Sequence, residues 1–112
     1  MKRGELYRVR RPPGDAKPAR TFVVVSRQGL IDSSFSTVVC PPVFSQRLGL
    51  PTQVSVGADE GLKHESAVLC DGLMSIEKSR LTDFVGELSP VKLVELDDAL
   101  SSALGLSELR RR

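Results

Sequence analysis

The feature that most constrains this chain is the shortness of its apolar runs. The strongest, TFVVV at 21–25 and STVVC at 36–40, are five residues long and dense in β-branched side chains. Runs of that length and composition fit strands and fall short of a core helix. Seven prolines and nine glycines break up the rest of the 112 residues, which points to short strands joined by turns rather than a helical bundle. The length leaves room for one domain, 1–112, and a 40% hydrophobic content allows a modest core. The expected class is mainly β (α+β).

Read in order, residues 5–10 alternate as a strand with Tyr7 and Val9 facing a core, and RPPGDAKPA at 11–19 forms a stiff basic loop. The 21–25 run is expected to lie buried on both faces in the middle of a sheet. Turn formers fill 26–34, and the strand at 36–40 ends at Pro41 and Pro42, neither of which can donate a ladder hydrogen bond. Residues 43–50 read as short helix or irregular chain. Strands at 53–56 and 67–70 are placed to pair antiparallel, a tight helical turn is expected over 76–81, and a last strand over 84–88. Ser89 can cap a helix that begins at Pro90, with Leu93, Leu96, Leu100 and Leu104 on its buried stripe. Glu95, Asp98 and Ser102 form its polar face, Gly105 stops it, and the tail 107–112 is expected to fray. The outline is a small, strongly curved sheet or partly open barrel of short antiparallel strands with a C-terminal amphipathic helix.

The charged opening MKRGELYRVRRPPG lacks the apolar core of a signal peptide, and no segment has the length to span a bilayer. No membrane association and a cytoplasmic location are the expectation. Cys40 and Cys70 each end a strand-like run and read as buried thiols. With one histidine they match no common zinc spacing, so neither metal nor cofactor is expected. The net charge of +2 is unevenly spread: Lys2, Arg3, Arg8, Arg10, Arg11, Lys17 and Arg20 face only Glu5 and Asp15 in the first twenty residues. Such an end can attract a polyanion or simply discourage strand pairing with other chains.

The ordered segments resemble the MazF/PemK family of toxin-antitoxin toxins. RGELYRV at 3–9 and ARTFVVVS at 19–26 are similar to its two opening strands, and PPVFS at 41–45 sits where it usually reads Pro-apolar-Thr-Ser. ESAVLCDGLMSIEKSRL at 65–81 and VGELSPVKLVELDDALSSALGL at 85–106 resemble its closing strand, turn and helix. The resemblance implies an SH3-like barrel, a homodimer, metal-independent and sequence-selective cleavage of single-stranded RNA (mRNA), and a cognate antitoxin protein lying over the RNA groove.

Metal-free RNA cleavage turns the 2′-hydroxyl on the neighbouring phosphorus, so the site must draw off a proton and steady charge on the phosphoryl oxygens. Arg20 aligns with the family's catalytic arginine, and its planar fork can hold two phosphate oxygens. The family's threonine position is here Phe44, with Ser45 beside it as a replacement hydroxyl. Phe44 is either core or a platform for an unpaired base. Asp71 matches a position where some relatives carry a catalytic aspartate; it can take the proton if buried, or it caps the turn before Gly72. Arg11 and Lys17 are candidate substrate-binding cations on a loop that, with 44–52, would flank the RNA. His64 lies in a polar turn away from any matched position. A second reading keeps the fold without catalysis, as a CcdB-like binder of a protein such as DNA gyrase. The two readings divide on whether Arg20 meets a usable hydroxyl or carboxylate in one pocket.

Overall fold

The computed structural model describes residues 1–10, 14 and 19–106. Within them the chain runs β1 (Glu5–Val9), β2 (Arg20–Val23), α1 (Gln28–Ile31), β3 (Thr37–Cys40), β4 (Val43–Phe44), β5 (Gln53–Val56), β6 (Ser66–Leu69), β7 (Met74–Glu77), β8 (Asp83–Glu87) and α2 (Pro90–Leu104). Single 3-10 turns fall at Ala58–Glu60, Cys70–Gly72 and Lys78–Arg80. No described helix is long and apolar enough to cross a membrane.

All pairings are antiparallel. β1 lies between β2 and β8, β3 pairs with β7, and β6 lies between β4 and β5. The far edge of β2 joins these ladders into one curved, SH3-like barrel. The Val23 N–H donates to the Pro41 carbonyl at 3.1 Å, the Val25 N–H to Val39 at 3.0 Å, and Phe22 bridges Pro42. Pro41 and Pro42 do lack donors, but their carbonyls accept, Pro42 from the Leu69 N–H at 2.9 Å. They end β3 and still tie it to its neighbours.

The strand at the start of TFVVV is buried on both faces, as its composition requires. Val23 and Val25 point into one core with Leu6, Val54, Val68, Leu96 and Ala99. Phe22 and Val24 point into a second with Tyr7, Val9, Val38, Cys40 and Ile76. Alternation along β1 does the same, sending Leu6 one way and Tyr7 and Val9 the other.

Three local expectations are corrected. Residues 76–81 do not form one helical turn: Ile76 lies in β7, opposite Val38, and only Lys78–Arg80 is 3-10. The cause is long-range, since buried Ile76 is flanked by exposed Ser75 and Glu77 and that alternation is satisfied by β3. The 43–50 stretch opens with the two-residue β4, paired with β6. The turn region 26–34 contains α1, whose first turn has no side-chain cap. Its last turn is held instead by the Lys78 ammonium, which donates to the Leu30 and Ser33 carbonyls at 3.1 and 2.8 Å.

The C-terminal helix forms as its signals require. The Ser89 hydroxyl accepts from the Lys92 N–H, Pro90 opens the first turn, and Gly105 closes the helix at φ 69°. Its buried stripe runs through Leu96 and Ala99, flanked by Leu93, Leu100 and Ala103, while Leu104 is 56% exposed. The stripe therefore turns away from Leu104, which the leucine spacing had included. Arg3 fastens the start of the chain to this helix, with its guanidinium 2.8 Å from Asp97 and its Nε donating to the Val25 carbonyl.

Candidate active site

The candidate site is an open cleft of about 330 Å³ over the second core. Val9, Phe22, Pro42 and Ile76 make its apolar floor, and Arg20, Phe44, Met74, Ser75 and Arg80 stand around it. Register explains how these residues meet. Arg20 is the first residue of β2, directly opposite Val9, the last of β1. In β4, Val43 turns inward and is buried, so Phe44 must turn out on the opposite face, opposite the small Ala67 of β6. The two side chains converge: the Arg20 Cζ lies 3.9 Å from the centroid of the Phe44 ring. That separation is a close cation–π contact.

Such a contact supplies no hydrogen-bond acceptor, and the planar N–H fork is the part of an arginine that binds phosphate oxygens. Arg80 supplies a second cation. It also borders a smaller hollow of about 200 Å³ with Arg8, Arg10 and Thr82, so basic side chains continue past the cleft. Arg10 is partly engaged, 3.8 Å from Asp83.

The residues singled out from the sequence divide accordingly. Arg20 and Phe44 share the cleft. Ser45, next to Phe44, is exposed and is not among the lining residues. Asp71 sits in the 3-10 turn after β6, exposed rather than buried, where it accepts the Thr52 hydroxyl at 2.7 Å. The burial on which a proton-accepting role was premised is absent. Arg11 and Lys17 lie outside the described residues. His64 is exposed, and its carbonyl accepts the Ser66 hydroxyl in the turn before β6. The two thiols belong to the core: burial pushes Cys40 up to about 12 and, with Asp71 nearby, Cys70 up to about 11, so neither is a ready nucleophile.

Sequence reasoning missed Ser75, Met74 and Arg80. Ser75 brings a hydroxyl into the cleft that holds Arg20, and Met74, 51% exposed, brings an adaptable apolar surface. Reading residues 76–81 as helical hid the strand that carries Met74 and Ser75, whereas Arg80 does lie in the Lys78–Arg80 turn. The signal for Ser75 was the alternation around Ile76, which marks a strand with Ser75 and Glu77 on its outer face.

A small curved β-barrel with an arginine held against an aromatic ring in an open, basic-rimmed cleft defines a class of proteins equipped to bind an extended anionic chain. The likeness to known proteins is narrower. The chain belongs to the family of PemK-like, MazF-like toxins of type II toxin-antitoxin systems, which matches residues 2–104. It is 31% identical to the endoribonuclease MazF4 of Mycobacterium tuberculosis over 93% of this chain and 92% of that protein. It is 28% identical to the endoribonuclease EndoA of Bacillus subtilis over 95% of this chain and 96% of that one. Among solved structures it superposes with a TM-score of 0.81 on a mycobacterial endoribonuclease in complex with its cognate antitoxin, at 28% identity, covering 95% and 96% of the two chains. The reading as a binder of DNA gyrase gains nothing from these likenesses.

Proposed function

We propose that this toxin is a metal-independent, sequence-selective endoribonuclease that cleaves single-stranded RNA, its 2′-hydroxyl attacking the adjacent phosphorus. The observation that carries the reading is Arg20, set in a cleft beside Phe44 with no ion pair to another described residue, in a chain whose relatives are named endoribonucleases. In this mechanism Arg20 binds two phosphoryl oxygens and stabilises the charge that grows on them as the pentacovalent state forms. Its part is to stabilise charge through the fork rather than to donate a proton. The hydroxyl nearest this chemistry is sought among Ser75, within the cleft, and Ser45, beside Phe44. Asp71 is the carboxylate to test as proton acceptor, in its pair with Thr52.

The rest of the reading follows from the family resemblance. The chain acts as a single domain over 1–112 in the cytoplasm, as a homodimer, and its partner is a cognate antitoxin protein whose acidic and apolar segment covers the cleft. Antitoxin and RNA then compete, and a ternary complex seen in gel filtration would refute that arrangement.

The test of the activity is incubation of the purified protein with a long single-stranded RNA in EDTA, followed by mapping of the ends. Discrete cuts leaving 5′-hydroxyl ends are expected, lost in Arg20→Ala and compared across Ser45→Ala, Ser75→Ala and Asp71→Asn. An intact RNA across a broad set of sequences would refute the nuclease reading.

A further inference from the structure

Phe44 stands where the family pattern places a threonine, and the structure engages it with the very residue that the mechanism needs. We infer that Phe44 is a positioning residue for RNA cleavage, holding the Arg20 guanidinium in the plane from which it grips the scissile phosphate. The inference rests on the ribonuclease reading.

Arginine carries four rotatable side-chain bonds, and ordering it costs about as much as ordering any side chain. An arginine at a strand end would spread over several rotamers, each aiming its fork differently. Here three constraints remove that freedom. The backbone of Arg20 is pinned by its register opposite Val9. The Phe44 backbone is pinned by β4 pairing with β6, where Ala67 leaves room for the ring. The guanidinium then lies over that ring at 3.9 Å. The ring supplies no acceptor that would compete with phosphate for the fork. A threonine at position 44 would offer a hydroxyl but no ring to fix the plane of Arg20.

The same geometry argues against Phe44 as the platform for an RNA base. Arg20 covers one face of the ring, so a base stacking on that face would have to displace the arginine that the chemistry requires. Phe44 thus acts on the transition state through Arg20, and its loss should lower kcat more than it raises KM.

The test compares wild type with Phe44→Leu, Phe44→Tyr and Phe44→Thr on an RNA oligonucleotide spanning a mapped cut. Phe44→Leu and Phe44→Thr should lower kcat about tenfold, the scale of one partly desolvated cation–π contact, with KM little changed. Phe44→Tyr, which keeps the ring, should restore kcat. A second readout does not depend on activity or on any Phe44 variant. In the NMR spectrum of the wild-type protein, the Arg20 Hε signal, identified by its loss in Arg20→Lys, should lie upfield of the other arginines because of the Phe44 ring current. An unshifted Hε overturns the proposal, as does a wild-type kcat in folded Phe44→Leu, or a change confined to KM. A wild-type protein that cuts no RNA overturns the parent reading itself, an outcome told apart from these because it needs no Phe44 variant.

Discussion

Leu96 offers a direct test of how the C-terminal helix is held. It is fully buried, on the face of α2 that meets β5 and the Cys70–Gly72 turn, within the core that contains Leu6, Val23, Val54 and Val68. Leu96→Ala removes three carbons, each worth about 0.8 kcal/mol of lost burial, or about 2.4 kcal/mol together. The surrounding valines belong to paired strands and cannot collapse fully into the gap, so a cavity term brings the expected cost to about 3–4 kcal/mol. With an unfolding entropy of about 2.1 cal/mol/K per residue over 112 residues, each kcal/mol moves Tm by about 4 °C. The expected fall is therefore about 13–17 °C by circular dichroism. Asp98→Ala, on the exposed face of the same helix, should stay within about 0.5 kcal/mol of wild type. A Leu96→Ala cost below about 1 kcal/mol, measured at the same protein concentration, would refute the packing described for α2.

Tyr7 is the one tyrosine in the chain; its pKa is pushed up to about 12 by burial first and then by the Glu5 carboxylate, to which its hydroxyl donates at 3.0 Å. The raised value favours the neutral phenol in the folded state, so its contribution to stability is complete below about pH 10 and is lost as pH rises towards 12. Absorbance at the phenolate band should titrate near 12 in the native protein and near 10 in denaturant; a native midpoint near 10 would refute the burial. Gly61→Ala should cost more than about 2 kcal/mol in urea unfolding, because its φ of +89° is strained for any side chain and a Cβ would sit 2.2 Å from the Val85 carbonyl oxygen. Gly49→Ala, at φ +68° in open space, should cost only about 1 kcal/mol, and equal losses would argue against that close approach. Arg80→Ala should reduce the salt dependence of binding to a 2′-deoxy oligonucleotide, which lacks the attacking hydroxyl, by about one unit of slope, whereas an unchanged slope would remove Arg80 from the binding surface.

The parts of this fold that were legible in the sequence are those set by local chemistry. Alternation in β1, the β-branched run of β2, and the Ser89, Pro90 and Gly105 signals around α2 each specify their element from a few adjacent residues. What escaped was set by distant partners. β7 exists because β3 offers it a ladder, β4 is two residues long because Pro42 and the residues after Phe44 leave only that much to pair, and α1 is closed by Lys78 from far along the chain. Arg20 was legible by resemblance and Phe44 as an aromatic with two readings, but their contact was not. It depends on the joint register of β1 with β2 and of β4 with β6, which no local pattern encodes.

The division into two cores separates the part of the molecule that holds it together from the part proposed to cut. α2 contributes Leu96 and Ala99 to the first core, whereas Val9, Phe22 and Ile76 under the cleft belong to the second. The chemistry-bearing residues also gather at ladder ends: Val9 closes β1, Arg20 opens β2, Phe44 closes β4 and Met74 opens β7. Mid-strand positions must alternate to fill both cores, but a ladder end has fewer neighbours to satisfy, so an arginine, a partly buried aromatic ring and a half-exposed methionine can stand there at little cost to packing. The two properties should therefore separate between two variants. Leu96→Ala, assayed well below its lowered Tm, should keep the wild-type kcat on RNA, while Phe44→Leu should lose kcat with a much smaller loss of Tm. If Leu96→Ala instead lost activity while still folded, the first core would be shaping the cleft, and the separation argued from the two clusters would be wrong.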